Sequence, residues 1–237
     1  QLCSSIIEAI GIPEEEYDVE LWKMNGHASW PDVAFLAEES LPYTLDSPAF
    51  LGDLAIWTRV TQGEPTLALL SSTKAPAGVL LAVHDLARQW RRHGPIIISG
   101  FHAPVENEAL SVLLRGDWPL VLVLARGLYR RPPAHLHSAL EDGRLLILSP
   151  FNESVRRATA VTAVTRNRVV AAMADEVLIA HAQPGSKTEQ LAQEVVGWGK
   201  QVYTLDHLAN EHLLALGVLG YLSAGRPFAG PGRLPTR

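Results

Sequence analysis

Two short stretches hold the residues best suited to binding or transforming an anion. Arg166-Asn167-Arg168 offers two planar guanidinium groups, each able to grip a phosphate through paired donors, around an amide that can fix a loop or helix end. Pro184-Gly185-Ser186-Lys187-Thr188-Glu189 reads as a turn that opens a helix. Such a turn presents unpaired backbone N–H groups at the positive end of the helix, which suits a phosphate. Each stretch also has a structural alternative. The arginines can pair with Asp175 or Glu176, a common use of surface Arg. Ser186 with Glu189 three residues on has the capping-box spacing of an ordinary helix start.

Other chemistry is sparse. Neither a P-loop nor a G-x-G-x-x-G is present, and Ser99-Gly100 lacks the G-x-S-x-G of a nucleophile elbow. His135 and His137 stand on opposite sides of a helix, and nine histidines beside one cysteine, Cys3, show no zinc spacing. No metal, no cofactor and no nucleophilic catalytic set is expected. If the chain hydrolyses anything, Glu106 and Glu189 are the candidate acid/base carboxylates.

The elements that must position these residues follow a regular alternation. Apolar runs at 66–70, 95–99, 119–124, 145–148, 177–180 and 201–204 read as strands buried on both faces. Helical patterns separate them at 77–93, 105–114, 134–141, 154–173 and 186–198, and a last helix is expected at 210–216. Alternating strands and helices imply α/β architecture, a doubly wound and mostly parallel sheet of about six strands. Ligands of such sheets sit beyond the C-terminal strand ends. Lys74, Arg126, Arg130, Arg131, Arg156, Arg157, Arg166, Arg168 and Lys187 fall near those ends. Their convergence along one rim would make a positive pocket, whereas scattered solvated charge is the plain alternative.

Upstream, residues 1–45 read as a small helical appendage broken by Pro13 and Pro42, and Ser47-Pro48 starts a helix as cap and first position. The expected division is an acidic helical arm at 1–45, a Rossmann-like domain at 46–216 and an irregular Gly/Pro-rich tail at 217–237.

Charge is divided unevenly along the 237 residues, whose formal net charge is −5. Residues 1–53 hold eleven acids and one base, Lys23, which leaves the remainder at +5. A basic body with an acidic arm points to an anionic partner for the body, or to an arm that folds over the basic rim. Hydrophobic content of 47% and charged content of 19% are those of a globular protein. No run of about 18 apolar residues suggests a membrane span. The apolar start contains Glu8 and lacks a basic leader, and there is one cysteine, so a cytoplasmic location is expected.

Read in order, the residues resemble the DNA-processing protein A (DprA/Smf) family over about residues 65–205. The resemblance is carried by Ile97-Ile98-Ser99-Gly100, Glu106, Ala109-Leu110, Val121–Leu124, Gly127-Leu128, Leu148-Ser149-Pro150, Arg166-Asn167-Arg168, and Gly185-Ser186 with Thr188 and Ala192. Where that family has Gly-Ser-Arg after its first strand, this chain has Ser71-Ser72-Thr73. Where it has Ser-Gly-Gly-Ala-Arg-Gly-Ile-Asp after its second, this chain runs from Ser99 through Phe101 and Ala103 to Glu106. The resemblance implies a Rossmann-like domain that forms a homodimer and binds a nucleotide or single-stranded DNA. It assigns phosphate contact to Ser99, Gly100, Arg166, Asn167, Arg168, Gly185 and Ser186, with Lys187 and Thr188 completing the last turn. A binding role in DNA processing or recombination is expected rather than catalysis. The wider superfamily includes the lysine-decarboxylase-like (LOG) phosphoribohydrolases. Hydrolysis of a nucleoside monophosphate, or an inactive nucleotide-sensing module, are therefore the alternatives.

Overall fold

The computed structural model describes residues 59–60, 63–151 and 154–221. The proposed acidic arm, all but the end of the helix expected from Ser47, and the last sixteen residues of the tail lie outside the described residues; residues 59–60 are helical.

Seven parallel strands form one sheet in the order β4-β3-β2-β1-β5-β6-β7. They are β1 (Thr66–Ser71), β2 (Ile96–Ser99), β3 (Leu120–Val123), β4 (Leu145–Leu148), β5 (Glu176–His181), β6 (Gln201–Leu205) and β7 (Leu219–Tyr221). The intervening helices are α1 (Ala77–Trp90), α2 (Pro104–Leu113), α3 (His137–Glu141), α4 (Ala160–Met173), α5 (Lys187–Gly197) and α6 (Glu211–Leu214). The doubly wound α/β class read from the alternation is the one observed. The seventh strand extends the sheet into the stretch that composition assigned to an irregular tail. Three residues with a glycine at their centre are too short for a periodicity signal, and only pairing with β6 gives them their form.

The central strands are apolar along their middles, with polar residues only at their ends, because both sheet faces are covered. On one face Val169, Val170 and Ala171 of α4 and Leu191, Ala192 and Val195 of α5 pack against Ala68, Leu70, Ile98, Val177 and Ile179. On the other, Val79, Val83 and Leu86 of α1 and Val105, Ala109 and Leu110 of α2 pack against Leu67, Leu69, Ile97 and Leu178. Alternate residues of one strand thus serve opposite cores, as the two-residue side-chain period requires. The strand bottoms are pinned by Asp175, whose carboxylate accepts from Thr66 N at 2.9 Å and Thr66 Oγ1 at 2.8 Å.

The chain leaves β1 toward β2, β3 and β4, then crosses back to add β5 on the other side. The β1–β5 boundary is therefore the topological switch point, where the loops leaving adjacent strands diverge and open a crevice. The pairing register slips between Leu70 and Ser71, so that Ser71 comes to face His181.

Candidate functional site

At the switch point a cleft of about 550 Å³ opens between the loop after β1 and the loop after β5. Lys74, Pro76, Pro104, His181 and Gln183 are among its lining residues. The two loops are laced together beneath it. Ser72 N donates to His181 O at 2.8 Å, Gln183 N donates to Ser72 Oγ at 3.0 Å, and Ser72 Oγ lies 3.3 Å from Ser186 Oγ. Lys74 is exposed at the cleft wall.

The residues expected to touch phosphate fall into two groups. The first gathers at the ends of β2 and β3. Ser99 Oγ donates to Leu69 O at 2.7 Å and accepts from Phe101 N at 3.1 Å, so it ties β2 to β1. Arg166 descends from α4 on one face of the sheet and is 4% exposed. Its Nη1 donates to Val123 O at 3.2 Å and its Nε to Asn167 Oδ1 at 2.7 Å. Asn167 thereby fixes the arginine. The guanidinium lies over Gly100, where only hydrogen leaves it room.

Glu106 reaches the same edge from α2 on the opposite face. One carboxylate oxygen accepts from Ser71 N at 2.8 Å, and the other from His102 N at 2.9 Å and Ala103 N at 3.3 Å. Ala103 has no side-chain acceptor, so the helix start takes its anionic cap from within, three residues on. A buried carboxylate thus satisfies three backbone N–H groups between β1 and β2. Burial pushes the Glu106 carboxyl up, and the Arg166 guanidinium and the three N–H groups oppose the rise. Burial lowers the Arg166 pKa, and Glu106 opposes that shift.

The second group sits at the start of α5. Ser186 Oγ accepts from Glu189 N at 3.2 Å, and Glu189 Oε2 accepts from Gly185 N at 2.6 Å. Gly185 takes φ +74°, a left-handed value that favours glycine. Ser186 caps the helix as the serine–glutamate spacing suggested, but Glu189 reaches back to the amide of Gly185, one residue before the cap, while Ser186 N donates to Gln183 O at 3.0 Å. Lys187 is exposed, with Nζ donating to Gln190 Oε1 at 3.1 Å, and Thr188 is buried. Glu189 also lies 3.3 Å from His212 of α6.

Arg168 belongs to neither group. Its Nη2 stands 3.0 Å from Glu194 Oε2, joining α4 to α5. The ion pair offered as an alternative, with Asp175 or Glu176, is replaced by one to Glu194, because Arg168 stands on the side of α4 that faces α5. Convergence of Arg166, Arg168 and Gly185 on one pocket is likewise corrected. Arg166 turns inward, Arg168 faces a neighbouring helix, and Gly185 has its N–H satisfied by Glu189. Both candidate acid/base carboxylates hold backbone amides in place.

Sequence reasoning gave no individual role to His181, Gln183 or Asn210. Their signal was positional, since His181 ends a strand whose flanking loop borders the cleft. Seeing it required knowing that β5 lies beside β1.

The DNA recombination-mediator protein A family model matches residues 51–216. Among solved structures, the chain is similar to DNA processing protein A of Streptococcus pneumoniae, with 16% identity and a TM-score of 0.57. That match covers 69% of this chain and 60% of the other. It is also similar to DNA processing protein A of Helicobacter pylori, with 22% identity and a TM-score of 0.56, over 69% of this chain and 78% of that one. At these identities the likeness shows the fold. No curated protein matches the chain. Because the family model spans most of the sequence, this chain belongs to the DNA recombination-mediator protein A family.

Proposed function

We propose that the chain binds single-stranded DNA, or a nucleotide, in the cleft at the C-terminal rim of its sheet, and serves DNA processing through binding rather than catalysis. The observation that carries this reading is the cleft itself, placed at the β1–β5 switch point with Lys74 on its wall. The Helicobacter pylori relative, whose described property is single-stranded DNA binding, supports the polymer as ligand. Lys74 supplies the phosphate charge, and Lys187 adds to the field from the adjoining loop. Arg166, Asn167, Ser99 and Gly100 shape the floor of the rim beside the cleft, and Gly185, Ser186 and Thr188 set the loop that closes it. A homodimer remains part of the proposal, to be read by sedimentation of the full chain.

The LOG-like alternative has no observation in its favour, because Glu106 and Glu189 already serve as caps. The test is a salt titration of oligonucleotide affinity with the full chain. Log affinity is expected to fall with log salt at a slope of about −0.7 per phosphate contact. Absence of binding at low salt overturns the proposal.

A further inference from the structure

His181 is 5% exposed and its Nδ1 lies 2.8 Å from Asn210 Oδ1. Asn210 is fully buried, and its amide nitrogen donates to Ala180 O at 2.9 Å and Leu205 O at 3.2 Å. Those two carbonyls settle which way the amide points. Rotating it would set its oxygen against two carbonyl oxygens and remove the amide donor from both. Oδ1 is therefore the atom facing the imidazole, and it can only accept. The hydrogen between them must sit on Nδ1 of His181.

This arrangement leaves Nε2 as the acceptor nitrogen of the neutral ring. His181 lines the cleft, and Nε2 has no hydrogen-bond partner among the described residues and is not sealed from the cleft. Lys74 is the other ionisable side chain lining the same space. Of its two ionisable side chains, Lys74 can only donate and His181 turns an acceptor nitrogen toward the cleft, beside the neutral polar groups of Thr73 and Gln183. A bare phosphate would use the first and leave the second unmatched, because a fully ionised phosphate has no hydrogen to give.

From this pairing we infer that His181 is a base-reading residue: its Nε2 accepts a hydrogen bond from a nucleobase N–H while Lys74 meets the phosphate. The inference rests on the proposed binding of nucleic acid in this cleft. A cleft of about 550 Å³ falls in the usual range for small-ligand sites, roughly 300–1,000 Å³, and has room for a nucleotide unit. Asn210 is the positioning residue that holds the ring in its accepting tautomer.

The test compares two oligonucleotides of equal length, oligo-dT and oligo-dT methylated at N3 of each base. Methylation removes the one base donor of thymine and leaves the phosphates intact. The full chain is expected to bind the methylated strand roughly two- to tenfold more weakly, the worth of one net hydrogen bond. In His181→Leu that difference should vanish while the slope of affinity against salt stays the same. In His181→Gln it should persist, since the amide can donate to Asn210 and still offer its oxygen to the cleft. If His181→Leu does not fold, nitrogen-15 spectra of the parent protein's histidines decide the matter: Nε2 must lack hydrogen and must shift on adding oligo-dT. A hydrogen on Nε2, no shift on adding oligo-dT, equal binding of both strands by the parent, or a difference that survives in His181→Leu overturns the inference. Failure to bind either strand defeats the underlying function instead.

Discussion

The guanidinium of Arg166 occupies the space that any side chain on Gly100 would need: a Cβ there would stand 1.4 Å from Nη1. The glycine at the end of β2 is thus required by an arginine from another element. Gly100→Ala should expel the guanidinium and leave Glu106 buried beside no counter-charge. Losing the guanidinium's hydrogen bond to Val123 O costs about 1.5–3 kcal/mol, the range for bonds to a charged group, while three N–H groups still hold the carboxylate. Urea denaturation measures it. A variant within about half a kcal/mol of its parent, the scatter of ordinary surface changes, would show that the arginine is dispensable.

Removing the arginine itself should change how stability depends on pH. The Glu106 carboxyl is already pushed above 4.5 by burial, and Arg166 is the largest influence holding it down. A folded-state pKa above the unfolded one gives stability that is present at low pH and lost as pH rises through the folded value. Arg166→Met raises that value further. Melting temperature should therefore fall more steeply with rising pH, from about 4.5 upward, in Arg166→Met than in the parent. Parallel curves would mean that the two groups are not coupled across the sheet edge.

What could be read from the sequence follows from which signals are local. Apolar runs of four to six residues between helical stripes announced six of the seven strands, because burial on both faces leaves no polar position at the sheet centre. The Ser186–Glu189 cap was legible for the same reason, as its partners are three residues apart. Arg166 was legible as a charged residue beside the rim and illegible in direction, because what turns it inward is Gly100, in a different βα unit. His181 was legible as a residue at a strand end and illegible in its role: Asn210, which orders its ring, lies twenty-nine residues on, beyond α5 and β6.

Phe101 is the one residue other than glycine with positive φ, at 47°, among the described residues, and it stands where the resemblance places a glycine. Its ring is 4% exposed within the core beneath α1 and α2. Two effects oppose each other in Phe101→Gly. Relief of the backbone returns about 1–3 kcal/mol. Losing a buried aromatic side chain costs about 3–5 kcal/mol, and glycine adds unfolded-chain entropy. The variant should be less stable by about 1–3 kcal/mol in chemical denaturation. A stabilised variant would show that strain outweighs packing at this turn.

Lys74 and Arg168 are both basic and both follow from the same chain-wide charge pattern, yet the structure separates their roles. Lys74 is exposed on the cleft wall, whereas Arg168 is held by Glu194 with both side chains about one-third exposed. Lys74→Glu should weaken oligonucleotide binding at low salt and make the salt slope shallower by about 0.7, the contribution of one lost phosphate contact. Arg168→Ala should leave both affinity and slope as they are. It should lower stability by at most about 1 kcal/mol, as partly exposed ion pairs do. Fluorescence anisotropy of the two variants across a salt series reads the first effect, and thermal melting the second. Equal losses of affinity in both would place the nucleic acid along α4 instead of in the switch-point cleft.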